Sequence, residues 1–139
     1  TKNASEMILI GNVIRNRVDL NYRGRKTVRQ VILDPYQFSA FNPNRNSRWK
    51  YINMTEKHVS DSLWAKAWKA ARFTMTAPRE VLPLSNPCIN HFAHHKRVVD
   101  KPDWMFQMEQ ISLGDIESPR LSIYKQNDES PCQTRLASR

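Results

Sequence analysis

The sequence predicts a single α+β domain, mainly α, with a small β element. Apolar residues recur at helical spacing over residues 5–18 and 60–75, while two short stretches, within 90–95 and 120–124, read as strands. The chain has 139 residues, 40% hydrophobic and 25% charged, with only three glycines, a balance that suits one globular and rather helical core.

In order, the first helix spans about residues 5–18, with Met7, Ile10, Gly11, Ile14 and Val18 on one face and Asn3 or Ser5 as its cap. Arg15 and Arg17 suit its C-terminal end. After a loop containing Gly24, Thr27 caps a short helix through Leu33 that turns Val28, Val31 and Ile32 inward, and Asp34-Pro35 stops it. Residues 42–53, rich in Asn and Arg and closing on Trp49 and Tyr51, read as a surface loop with aromatic anchors. In the helix at 60–75, Trp64, Ala67, Trp68, Ala71 and Met75 form a stripe expected to be core, with Lys66, Lys69 and Arg72 largely outside it. Pro78, Pro83 and Pro87 make a rigid connection to the first strand. Residues 103–113 are apolar enough for a helix or a packed turn. The domain is expected to cover 1–124, and the polar, aperiodic residues 125–139 to be a loosely held tail.

The chain carries 22 Lys and Arg against 13 Asp and Glu, a net charge of +9, which concentrates polyanions near its surface. Nucleic acid, anionic membrane and bacterial wall polymer all qualify, as does a basic surface with no specific partner. Arg, Lys and aromatic residues interleave over 45–51, but no recognition helix or RNA-binding signature accompanies them, so no specific nucleic acid is expected. There is no apolar run long enough to span a bilayer. The chain opens without a basic and apolar leader, so export is expected to rest on processing, a partner or a separate release mechanism. Cys88 and Cys132 are too few for a disulfide scaffold, and either one bridge or two separate thiols fits.

Two stretches stand out for chemistry. In Pro35-Tyr36-Gln37-Phe38-Ser39-Ala40-Phe41, Gln37 and Ser39 lie between aromatic residues, as in a sugar-binding cleft, although a loop with local polar bonds has the same look. His91, His94 and His95 crowd into five residues, with Cys88 just before them. Together with Cys132 these are potential zinc ligands, but their spacing matches no paired-ligand pattern, and neither metal nor cofactor is expected. His91 reads as a hydrogen-bonding cleft residue or as a histidine satisfied inside the core.

Val13-Ile14-Arg15-Asn16-Arg17-Val18, then Val31 through Ser39, then Asn90-His91-Phe92 and the stretch from Val99 to Trp104 resemble, in order and spacing, the signatures of the SleB-type cell-wall hydrolase family, the spore-cortex-lytic enzymes and their bacterial and phage relatives. The resemblance covers about residues 4–124, with Asn-His-Phe standing where the family usually has Thr-His-Phe or Thr-His-Tyr.

The resemblance implies a small lysozyme-like fold that acts at the bacterial cell wall or periplasm and cleaves the glycan strand of peptidoglycan, commonly as a lytic transglycosylase. It implies that Gln37, Ser39 and His91 shape the substrate cleft, with Phe38 packed beneath them; by residue type alone, Trp49 in the 42–53 loop reads as lining a glycan groove, and His94 beside His91 is a further substrate-binding candidate. The family's acid is a glutamate in a Glu-Ala-x-Gly type stretch just before the first helix. Counting back from Asn16, that place falls at about Lys2 or upstream of Thr1, and Glu6 is the nearest carboxylate. Glu6 sits where a helix-start charge belongs. Two readings follow: a wall-cleaving enzyme, phage-borne or otherwise delivered, whose acid lies on a preceding segment; or a noncatalytic module that binds wall polymer or takes part in a larger assembly such as a virion.

Overall fold

The computed structural model describes residues 1–35, 37–44, 47–95, 102–127 and Cys132. Helix α1, Ala4–Asp19, starts where the Asn3 side chain accepts the Glu6 amide at 2.9 Å. Helix α2, Val28–Leu33, starts where the Thr27 hydroxyl accepts the Gln30 amide, and it ends at Asp34-Pro35. Helices α3, Ser47–Ile52, and α4, Asp61–Thr76, follow, the latter capped by Ser60. Strand β1 is Ile89–His94, helix α5 is Asp103–Gln107, and strands β2 and β3 are Glu109–Gln110 and Leu121–Lys125. The strands form one antiparallel sheet in the order β1-β3-β2, with Phe92 opposite Ile123 and a register shift between Ile89 and His91. The fold is α+β and mainly helical, as the sequence predicts.

Helix α1 is the axis of the domain, packed against α4, β1 and α2. It meets α4 closely because Gly11 has no Cβ: one built there would lie 2.5 Å from Thr74 Oγ1. Leu9 and Val13 of α1 join Leu84 and Ile123 in the main core, against which Ile89, Phe92, Ile111, Leu113 and Ile116 pack. A second cluster joins Leu20 to the Cys88–Cys132 disulfide.

Four expectations need correcting. On α1, Met7, Ile10, Ile14 and Val18 are only half-buried, and the fully buried line runs through Glu6, Leu9, Val13 and Asn16. Enclosed on several sides, α1 uses polar side chains to satisfy neighbouring loop backbone, which an apolar count overlooks. On α4, Trp68 is 60% exposed, and the buried residues are Ala70 and Thr74. The contact that Gly11 permits has room for small side chains but not for an indole. The expected loop at 42–53 contains α3. The expected tail is held at three points: Lys125 belongs to β3, the Gln126 amide donates to Cys88 O at 3.0 Å, and Cys132 is bridged to Cys88 and buried. Tyr36 and residues 99–101 of the quoted motifs, and residues 128–131 and 133–139 of the expected tail, lie outside the described residues.

Candidate functional site

The last turns of α1 fix the backbone that the site is built on. Asn12 exchanges hydrogen bonds with Leu84, donating to its carbonyl at 3.1 Å and accepting its amide at 2.8 Å. Asn16 donates to the carbonyls of Leu84 and Ile89 at 3.1 and 2.8 Å and accepts from Arg79 at 2.7 Å. Both asparagines are fully buried, so these bonds replace water along the entry to β1.

Arg17 comes next and joins three elements. Its Nε donates to Asn90 O at 2.8 Å and its Nη1 to Gln37 Oε1 at 3.3 Å. The guanidinium carbon lies 5.0 Å from the Tyr22 ring centroid and 5.4 Å from that of Phe38. Only 4% of the residue is exposed, and burial, partly offset by Tyr22 and Asp34, lowers its pKa from the ordinary arginine range while leaving a cation. Gln37 therefore reaches the site with its oxygen held, and its amide nitrogen bonds to no described residue.

His91 has both ring nitrogens engaged. Asn90 donates its amide nitrogen to Gln126 at 2.9 Å, which turns its oxygen toward His91 Nδ1 at 2.6 Å. An amide oxygen only accepts, so we assign the proton to Nδ1, leaving Nε2 to accept from the Tyr22 hydroxyl at 3.1 Å. Burial first, and then the Arg17 charge, push the His91 pKa down to about 3. The ring is flanked by Tyr22 at 5.4 Å and Trp104 at 5.0 Å, and Trp104 meets Tyr124 at 5.3 Å. His91 is thus a neutral, saturated group that fixes its neighbours.

Among the described residues, the two buried carboxylates are held as anions. Burial pushes the Glu6 carboxyl up, but bonds from the Thr1 hydroxyl, the Arg120 and Leu121 amides and the Ser118 hydroxyl, at 2.8 to 3.2 Å, outweigh it and leave the pKa below the ordinary 4.5. Burial likewise raises that of Asp34, and Arg23 at 2.7 Å and Arg25 at 2.9 Å more than reverse it. These ion pairs tie the end of α2 to the preceding loop, where Asn21 and Arg23 adopt positive φ.

Of the residues singled out in the sequence, the structure links Gln37 and His91 through Arg17 and Asn90, and places Phe38 against Arg17 and, at 5.9 Å, Phe92. Ser39 begins a single turn, Ser39–Phe41, directly after them, and its side chain lies outside the described set. His94 is elsewhere. Three residues along β1 it is displaced by about 10 Å at ordinary strand rise, and its ring lies 6.1 Å from that of His95, tilted by 43°. Trp49, 72% exposed on α3, lines a different groove, and Glu6 joins α1 to the start of β3. The disulfide consumes the two thiols of the zinc set that the sequence raised. Sequence reasoning missed Tyr22 and took Arg17 for a helix-end cation. The available signal for the buried polar face was Asn12 and Asn16, four residues apart beside apolar Leu9 and Val13.

The profile of the cell wall hydrolase family matches residues 2–118. The chain belongs to this SleB-type family. No curated protein and no solved structure matches it. For this cell wall hydrolase domain the substrate class is peptidoglycan, the general activity is hydrolysis of the wall, and the place of action is the cell wall. Among the described residues no helix is long and apolar enough to cross a membrane. The match also embraces every residue of the Arg17 network except Tyr124 and Gln126.

Proposed function

We propose that the domain engages the glycan strand of peptidoglycan where Arg17, Gln37 and Phe38 meet, and serves cleavage of that strand next to N-acetylmuramic acid, in the manner of a lytic transglycosylase or muramidase. The observation that carries this reading is the Arg17 clamp on Gln37 Oε1. An amide fixed through its oxygen offers its N–H groups to a sugar hydroxyl or acetamido carbonyl without a further ordering cost. Ser39, two residues on from Gln37 in the sequence, is assigned a further sugar contact, His94 a neighbouring sugar, and His91 is a positioning residue that holds Tyr22 and Trp104.

Protonating the glycosidic oxygen requires a carboxylic acid whose pKa is raised. Glu6 and Asp34 are shifted the opposite way, so the acid of this proposal is neither of them. The resemblance puts it on a stretch before α1. The same shift on Glu6 favours a second reading, in which these 139 residues bind wall polymer without cutting it, by themselves or within a virion.

Sacculi incubated with the protein and analysed by mass spectrometry test the reading. Soluble disaccharide-peptides ending in a 1,6-anhydro ring are the transglycosylase result and reducing ends the muramidase result. Pelleting without release by these 139 residues fits either reading, and release once a Glu-Ala-x-Gly stretch is joined ahead of Thr1 selects the first. Release of free peptides contradicts both.

A further inference from the structure

Helices α2 and α3 enclose a groove of about 520 Å³ that holds none of the Arg17 network. It is lined by Leu33, Pro35, Pro43, Trp49 and Ile52, together with Arg29 and Arg48. Trp49 is 72% exposed, so its indole is accessible to a ligand in the groove. Arg48 donates one N–H to Phe41 O at 2.7 Å, which steadies its guanidinium. Arg29 bonds to no described residue. An adjoining hollow shares Arg29, Leu33 and Pro35 and adds Arg25, which together with Arg23 sets two positive charges against the single carboxylate of Asp34 and leaves one in excess. The groove is therefore cationic with one flat aromatic face.

That combination selects a ligand with an apolar face and an anionic substituent. A pyranose stacks its C–H face on an indole, and an arginine pair takes a carboxylate through charge-assisted bonds. We propose that the groove is a second wall-polymer site, in which Trp49 stacks a sugar or the aliphatic part of its substituent and Arg29 and Arg48 hold a carboxylate of the stem peptide. The proposal rests on the glycan reading above. It also uses chain continuity: Pro35 walls the groove and Gln37, two residues on, is the residue clamped by Arg17. A phosphodiester would satisfy the arginines equally but leaves Trp49 with less to cover, so the stem peptide is the better fit.

The chain has four tryptophans, and their indole N–H resonances separate the two sites. Trp49 reports on the groove and Trp104 on the Arg17 network, each assigned by its Phe variant. The protein is titrated with a soluble disaccharide-tetrapeptide, with uncharged chitotetraose and with polyglycerol phosphate. The disaccharide-tetrapeptide is expected to shift the Trp49 resonance, and Arg29→Gln to weaken that binding by about fivefold to tenfold. Chitotetraose is expected to bind there less tightly than the disaccharide-tetrapeptide. If the disaccharide-tetrapeptide moves Trp104 alone, the groove proposal falls and the glycan reading stands. If chitotetraose binds equally well, or Arg29→Gln changes nothing, the carboxylate assignment is overturned. Tighter binding of polyglycerol phosphate replaces the stem peptide with a phosphodiester and overturns the proposal. A disaccharide-tetrapeptide that moves neither indole overturns both.

Discussion

Replacing Glu6 tests whether its carboxylate is a structural anion. Its Oε1 accepts the Thr1 hydroxyl at 2.8 Å, and its Oε2 accepts the Arg120 and Leu121 amides at 2.8 and 2.9 Å and the Ser118 hydroxyl at 3.2 Å. In Glu6→Gln the amide oxygen can occupy the Oε2 position and keep three donors, while the new N–H₂ faces a hydroxyl able to accept. What is lost is charge assistance, and relief of the buried charge offsets part of that, for a net cost of about 1–2 kcal/mol. Glu6→Ala leaves the buried Leu121 amide and the part-buried Arg120 amide unpaired, at roughly 1–3 kcal/mol each, and adds a small cavity, for about 3–5 kcal/mol in all. For a domain of this size each kcal/mol lowers Tm by about 3–4 °C. Thermal unfolding at pH 7 followed by circular dichroism should therefore give drops of about 3–8 °C and 9–20 °C respectively. The folded pKa of Glu6 is below its unfolded value, so its stabilisation is present above that unfolded value and lost as pH falls through the folded one. The gap between wild type and Glu6→Gln should accordingly narrow below about pH 4.5. Equal losses for the two variants, or a gap that widens in acid, would refute the reasoning.

Three further outcomes follow from the packing. His91 stays neutral in the folded state down to about pH 3, whereas in the unfolded chain it protonates near pH 6.5. Urea midpoints should therefore fall as pH drops from 7 to 5, by up to about 1.4 kcal/mol per pH unit below 6.5, and His91→Gln, though less stable, should lose that slope. Gly11→Ala, helpful in an open helix, should here cost about 1–3 kcal/mol because its Cβ meets Thr74 Oγ1. Chemical denaturation of the double variant with Thr74→Ala should show that cost largely recovered. Reduction of Cys88–Cys132, which are 44 residues apart, should lower stability by about 4 kcal/mol on the chain-entropy account, read as the shift between oxidised and reduced unfolding curves.

Much of the fold is written in local signals. Thr27 and Ser60 cap α2 and α4 as their residue types indicate, Asp34-Pro35 ends α2, and β1 and β3 fall within one or two residues of the stretches that read as strands. The faces of the long helices were less legible. Hydropathy counts reward Trp68 and ignore Asn16, yet α1 meets α4 through Gly11, Ala70 and Thr74 and meets β1 through asparagine bonds. Gln37 and His91 could be singled out by residue type and motif. That Arg17 joins them depends on contacts across 20 and 73 residues of sequence, which no local pattern encodes. Tyr22 had no signal in a loop with positive φ on either side of it. The position of Glu6 in the first turn suggested a helix-start charge, but its four partners include three from residues 118–121.

The central claim is that this domain holds wall polymer on the Arg17 and Gln37 surface while Glu6 serves the fold. The most direct measurement incubates the 139-residue chain with purified sacculi, as wild type, Glu6→Gln and Gln37→Ala, and records pelleting at low and high salt together with muropeptide release. The account predicts that wild type and Glu6→Gln pellet equally at low salt and are freed by high salt, as the net charge of +9 requires. It further predicts weaker pelleting of Gln37→Ala and release from wild type close to the blank, unchanged by Glu6→Gln. Strong release by wild type that Glu6→Gln abolishes, with folding intact, would make Glu6 the acid and contradict the account.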